Sequence, residues 1–336
     1  MNETELNNIG IRQWNIISPR YKNPDLFLGN GFSINLSDKF SYSSLFDTFI
    51  GKTVEPFKTL FQQFDTTNFE LILSYLTHSL KVNKILGLQT DLVEQAIESL
   101  KNGLIESIKE IHPRVEEIDW DVIQAFTNEL KSYGNIYTTN YDLYLYHIIM
   151  KSIDERRKDR SYIAYQDYFW GDAEPGYKQF MLNQEFPYKH VYYLHGALFI
   201  FNHGIRDLKI KRSGSGDELI EIIATEIQQG HFPLFITEGI AQDKMNSIYR
   251  SNYLYFCLQK FSKSITPLLI FGNSLSDFDA HIVKALNDSP RELIISIFTD
   301  GKTENQLNRV KYDLLDKFPK YKPDIEFVDS KSVFPM

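Results

Sequence analysis

Residues 26–33, Leu-Phe-Leu-Gly-Asn-Gly-Phe-Ser, decide how the rest of the chain is read. The apolar run Leu26, Phe27, Leu28 suits a strand covered on both faces. Gly29 and Gly31, flanking Asn30, let the backbone turn at once and approach a bound group that a Cβ would exclude. A helix or loop starting there aims its N–H groups at the same point, where an anion such as pyrophosphate fits. The same pattern also serves as a plain tight turn, so its meaning depends on what the chain places beside it.

Similar strand ends recur downstream. Residues 267–271, PLLIF, run into Gly272, Asn273 and Ser274 before a helical segment. Residues 135–140, NIYTTN, run into Tyr141 and Asp142 before LYLYHIIMKSIDERRK. A strand at 190–194 ends in His195-Gly196, another at 233–237 ends at Glu238-Gly239, and short strands at 293–298 and 325–328 close the series. Strands alternating with helices predict an α/β fold with a parallel, doubly wound sheet. The carboxyl ends of such a sheet lie along one edge. Residues 29–33, 140–142, 195–196, 238–239 and 272–277 are therefore expected to share one cleft. Each also has a structural reading, because Asn and Asp cap helices and a His-Gly pair can be only a turn.

Between the first two strands, residues 43–132 read as a large helical insertion, with apolar residues at threes and fours such as Phe57, Leu60, Phe61 and Phe64. Thr90 and Asp119 stand at N-cap positions there, and His78 and His112 read as structural or solvent-facing. Residues 1–24 read as a leading arm and 151–189 as a polar, aromatic surface excursion able to serve as a lid. Ser276 with Asp279 resembles a capping box. One domain over 1–336 is expected, its core at 22–42 and 133–336.

With 43% hydrophobic and 24% charged residues in 336, the chain has the composition of an ordinary globular protein. A net charge of -8 argues against general affinity for nucleic acid or an anionic membrane, although Lys211-Arg212 and Arg156-Arg157 leave local anion sites open. The opening residues MNETELNNIG are unlike a signal peptide and no apolar run has the length of a bilayer span, so a cytoplasmic location and no membrane partner are expected. The single cysteine, Cys257, excludes an intramolecular disulfide and a CxxC zinc site and reads as a buried thiol.

GNGFS at 29–33, TTNYD at 138–142, LHG at 194–196 and GNSL at 272–275 follow the order in which sirtuin-like NAD-binding domains carry GAGxS, TQNxD, HG and GTSL. The chain resembles that superfamily over 22–42 and 133–336. Thr139 stands where sirtuins usually have Gln, and Asn30 and Asn273 replace Ala and Thr. The zinc-binding cysteine tetrad and the arginine segment of deacylases are missing, and Asp142 stands further from His195 than deacylases generally place them. The resemblance is therefore nearest to the prokaryotic sirtuin-like enzymes that hydrolyse NAD+, several of which serve in anti-phage defence.

That resemblance implies a Rossmann-like, sirtuin-like fold and an NAD+ glycohydrolase giving nicotinamide and ADP-ribose. Asn140 would bind the ribose and the attacking water, Asp142 the nicotinamide carboxamide, and His195 would act as general base. Gly29, Asn30, Gly31, Ser33, Thr139, Gly272, Asn273 and Ser274 would hold the dinucleotide. Glu238 would orient the adenine-side ribose or cap a helix. NAD+ is expected as substrate, with no zinc and no other metal, although Asp277, Asp279 and His281 have a spacing that metals use. Gating by a defence partner or by homo-oligomerisation is expected. The alternatives are a non-catalytic NAD or ADP-ribose sensor, and an NAD-dependent protein deacylase or ADP-ribosyltransferase.

Overall fold

The computed structural model describes residues 1–37, 45–53, 55–112, 115–172, 175–182, 189–211, 216–236, 241–319 and 324–334. Its strands are β1 (Ile11–Arg12), β2 (Asp25–Leu28), β3 (Ile136–Thr138), β4 (Phe169–Asp172), β5 (Tyr177–Phe180), β6 (Val191–Tyr193), β7 (Gly196–His203), β8 (Arg206–Ile210), β9 (Pro233–Phe235), β10 (Leu268–Phe271), β11 (Leu293–Ile297) and β12 (Glu326–Asp329). Seven of them form one sheet in the order β1-β12-β11-β10-β2-β3-β6, with every neighbouring pair parallel. Every residue of β2, β3 and β10 is buried, as a central parallel strand covered by helices on both faces requires. The fold is the α/β, Rossmann-like arrangement that the strand and helix alternation predicts.

Topology fixes where this sheet can hold a ligand. From β2 the chain proceeds to β3 and then β6 on one side, and from β10 to β11 and then β12 on the other. The strand order therefore reverses between β2 and β10, and in such sheets a ligand binds beyond the carboxyl ends of the strands at this reversal. The opposite, amino-terminal edge carries a structural clamp. Asp25 accepts from the Asn135 N–H at 2.8 Å and the Ser264 hydroxyl at 3.0 Å, and Arg291 lies 3.8 Å away while donating to the Phe261 and Ser264 carbonyls. Burial pushes the Asp25 carboxyl above its ordinary range, opposed by these donors and by Arg291.

The remaining strands form an antiparallel sheet, β4-β5-β8-β7-β9. Two expectations change here. The strand at 233–235 pairs antiparallel with β7 rather than joining the parallel sheet, and its carboxyl end runs beside Gly196, with the Ile236 N–H donating to the His195 carbonyl at 2.8 Å. Glu238 itself lies outside the described residues. The described part of 151–189 is no lid: it supplies the rest of the helix Tyr144–Lys158, then β4 and β5, and buries Tyr165, Tyr168, Phe169 and Tyr177. Aromatic side chains that looked like surface decoration are the core of the second sheet.

The leading arm contributes the helix Glu3–Asn8 and the edge strand β1, whose Ile11 is fully buried. The helical block comprises Leu45–Lys52, Phe57–Gln63, Phe69–Leu86, Asp91–Ile111 and Trp120–Glu129. Phe49, Phe61 and Phe69 interlock edge to face with centroids 5.0–5.8 Å apart, which ties its first three helices together. Asp119 caps as expected, accepting from the Asp121 and Val122 N–H groups, whereas Thr90 makes no side-chain cap bond. Cys257 is fully buried and its thiol is pushed well up by that burial. Among the described residues no helix is long and apolar enough to cross a membrane.

Candidate active site

The two glycine turns meet at the switch point. Gly29 ends β2 and the helix Asn30–Leu36 starts immediately after it. The Gly29 N–H donates to the Phe271 carbonyl at 2.9 Å, and the Gly31 N–H to the Gly272 carbonyl at 2.7 Å. A Cβ on Gly29 would lie 2.5 Å from Asn273 Cβ, one on Gly31 would lie 2.7 Å from Gly272 Cα, and Gly272 itself holds φ +68°. The close approach that demands glycine is thus between two segments of the chain. Asn30 and Ser274, at the tips of the two turns, remain exposed.

Beside them, the end of β3 supplies one continuous hydrogen-bonded chain. Asn140 donates through Nδ2 to the Gly29 carbonyl at 2.9 Å and to Ser33 Oγ at 2.8 Å. Ser33 passes its own hydroxyl proton toward Asp142 Oδ2 at 2.5 Å, and Asp142 Oδ1 accepts from the Tyr144 N–H at 2.8 Å. All three side chains are buried. Burial pushes the Asp142 carboxyl above its ordinary range, and the Ser33 and Tyr144 donors oppose that rise. Asp142 thereby fastens the start of the helix Tyr144–Lys158, while each oxygen keeps capacity for a second donor. Thr139 is fixed by its N–H to the Leu28 carbonyl and by accepting from Asn273 Nδ2 at 3.3 Å. Asn273 in turn accepts from the Leu275 N–H at 2.7 Å, so one side chain bridges the β10 turn and β3.

His195 stands just beyond the end of the next strand, β6. Thr138 pairs with Tyr193, so Asn140 and His195 each lie two residues beyond a paired position at the same end of adjacent strands. At this point the chain leaves the parallel sheet and enters the antiparallel one. Gly196 holds φ +73°, and a Cβ there would meet the Leu234 carbonyl oxygen at 1.9 Å. The glycine of the His-Gly pair is required by β9 crossing over it, and that crossing positions His195.

The histidine's partner is His281, in the first turn of the helix Ala280–Asp288. Their Nε2 atoms are 2.8 Å apart, with the rings stacked at 5.0 Å. The capping box expected from Ser276 and Asp279 does not form: Ser276 makes no side-chain cap bond, and Asp279 instead accepts from Lys244 Nζ at 2.7 Å. Ligand atoms of His195, Asp279 and His281 lie within 4.8 Å of one another. Lys244 already supplies a cation to that carboxylate. Asp277, by contrast, faces solvent and pairs with Lys317 at 2.6 Å. Burial holds His195 well below the usual imidazole range, reinforced by His281 and Lys244, while His281 is lowered to about 4 by burial and Lys244 against the pull of Asp279. Both rings are therefore neutral at pH 7. One donates its Nε2 proton and the other accepts it, an arrangement able to hand a proton along the pair.

The site thus brings together Gly29, Gly31, Ser33, Thr139, Asn140, Asp142, Gly272 and Asn273 by direct contacts and His195 by register. His281 enters the sequence reading only as one of three residues at metal-like spacing, and Lys244 gives no signal in the sequence at all. His281 was accessible to reasoning in one respect: it sits on the first turn of the helix that follows a glycine turn, which faces the same sheet edge.

The model of a family described as a domain of unknown function (DUF4917) matches residues 26–334, and the chain belongs to that family. No curated protein matches the chain.

Proposed function

We propose that the chain binds NAD+ beyond the carboxyl ends of β2 and β10 and hydrolyses its bond from ribose to nicotinamide, releasing nicotinamide and ADP-ribose. The observation that carries this reading is the Asn140-Ser33-Asp142 chain in register with His195 just beyond the adjacent strand, next to the switch point of the parallel sheet. In the reaction the C–N bond breaks with both electrons leaving on nicotinamide, and water adds to the ribose carbon and loses a proton. The leaving group is neutral once departed, so the site has to position water and stabilise an oxocarbenium-like state rather than supply a strong acid. Asn140 would exchange its bond to the Gly29 carbonyl for the ribose and the water, and His195, kept neutral by burial, would take the proton. Exposed Asn30 and Ser274 would meet the phosphates and adenosine side.

The resemblance to sirtuin-like defence enzymes supports a cytoplasmic effector whose activity is held in check until a trigger or assembly releases it. A second reading, a nucleotide sensor without turnover, has its own support: Asn140 and Asp142 both already bond protein groups. Incubation of the protein with NAD+ and chromatography of the products tests the hydrolase, with Asn140→Ala and His195→Ala alongside. Nicotinamide and ADP-ribose from the parent alone support the hydrolase. Calorimetric binding of NAD+ without turnover in any of the three proteins fits either the sensor or a hydrolase awaiting its trigger, and absence of binding overturns both.

A further inference from the structure

At the opposite end of β7, the antiparallel sheet builds a second cluster that the proposed reaction does not use. Phe201 pairs with Pro233 across β7 and β9. Continuing that antiparallel register by two residues sets His203 directly opposite His231. The two rings lie 4.4 Å apart. A third group is delivered by a helix terminus. The helix Gly216–Gln228 closes with Gly230 at φ +89°, with the Gly230 N–H on the Ile227 carbonyl and the His231 N–H on the Glu226 carbonyl, each at 2.9 Å. That closure folds His231 back over Glu226, and His231 Nδ1 sits 2.8 Å from Glu226 Oε2. Cross-strand register fixes one pair and the helix closure fixes the other, so three ligand-type side chains converge without a flexible element between them.

We propose that His203, Glu226 and His231 bind a divalent transition-metal cation of the zinc class. Ligand atoms of the three all lie within 4.8 Å of one another, close to the spread that one ion with bonds of about 2.0–2.2 Å draws together. Two imidazoles and one carboxylate form a borderline donor set that suits zinc and its neighbours better than calcium or magnesium. The His231 side chain is 44% exposed and that of Glu226 13%, so the ion enters from solvent and water completes its coordination. In the metal-free site His231 Nδ1 carries the proton that Glu226 accepts; on binding, that proton moves to Nε2 by exchange with solvent and the freed Nδ1 lone pair goes to the ion, with no net loss of a proton from the ring. Lys101 lies near Gly230 but is held by the Gln228 carbonyl at 3.0 Å and by Glu98 at 3.2 Å. Seven residue steps along β7 separate this cluster from Gly196 beside His195, roughly 23 Å of strand. The two histidine clusters are therefore independent.

The test is calorimetric titration of Zn2+ into the full-length, tag-free, chelator-treated protein, with His231→Ala, Glu226→Gln and His281→Gln beside it and far-UV circular dichroism confirming each fold. One equivalent bound by the parent and by His281→Gln, weakened more than about tenfold in the other two variants, is the expected result. The proposal is overturned if the parent takes up no Zn2+, or if uptake survives both His231→Ala and Glu226→Gln. Uptake lost only in His281→Gln would overturn it equally, by moving the ion to the other cluster.

Discussion

Replacing Gly272 by alanine tests why glycine stands at the switch point. Two costs add. An L-residue at φ +68° loses about 1–2 kcal/mol relative to glycine. The new Cβ would also lie 2.6 Å from the Phe32 nitrogen and 2.8 Å from the Gly31 carbonyl carbon, backbone atoms that cannot rotate away. Relief requires the β10 turn to part from the helix start and stretch the Gly31 N–H bond to the Gly272 carbonyl, an overpacking cost of about 1–3 kcal/mol. Gly301 provides the control, since it holds φ +66° with nothing within 4 Å of its Cβ position. Gly301→Ala should therefore show only the backbone cost. Urea unfolding of both variants and the parent, with each free energy taken from midpoint and slope, should place Gly272→Ala about 1–3 kcal/mol below Gly301→Ala. Equal losses in the two variants would refute the reasoning. Equal losses together with abolished NAD+ binding by Gly272→Ala would mean that the glycine serves a ligand and not the contact between turns.

Two further outcomes follow from charge. His112 and His147 line one small pocket, and burial lowers each to about 4, whereas an unfolded histidine titrates near 6.5. Between those values the unfolded chain binds more protons, so stability falls as the pH drops through that window, by about 2 kcal/mol for each histidine at pH 5. His112→Gln should remove roughly half of this pair's share of the loss between pH 7 and pH 5 in urea melts, and an unchanged pH slope would contradict the assignment. At the proposed active site Lys244 lowers His195 and His281 while Asp279 raises His281. On the hydrolase reading, Lys244→Met should move the acidic limb of the kcat/KM profile to higher pH and Asp279→Asn should move it lower. Shifts in the same direction would separate the pair from the reaction's proton transfer.

The parallel sheet was legible because its central strands are short apolar runs ended by glycine or polar residues, as at 26–28 and 268–271. The second sheet was not. A run such as that of β7, buried on both faces, looks the same in parallel and antiparallel surroundings, so its partners could not be assigned from pattern. β8 hides inside the charged stretch RDLKI, and β1 is two residues long and carries no period. At the site, Asn140, Asp142 and His195 could be placed because each follows a strand. The contact of His195 with His281 joins residues 86 positions apart through the packing of the helix Ala280–Asp288 against the helices Ala241–Arg250 and Asn252–Lys263, and nothing local encodes it.

Two buried carboxylates at opposite edges of the same sheet show what separates a clamp from a site. Asp25 bonds groups that lead into β3, β10 and β11 and has Arg291 beside it, so its charge is answered inside the fold and its work is done when the strands are aligned. Asp142 is equally buried, yet Ser33 and Tyr144, which hold it, are not cations. When ionised, its negative charge is unbalanced by any of its hydrogen-bond partners, two hydrogen bonds along the chain from Asn140. On the proposed reading that asymmetry has a purpose. The ring of NAD+ arrives positively charged and the ribose becomes positive as the bond breaks, and an anion kept out of water interacts with such charge far more strongly than one in solvent. A counter-cation beside Asp142 would have stabilised the empty fold and removed that interaction.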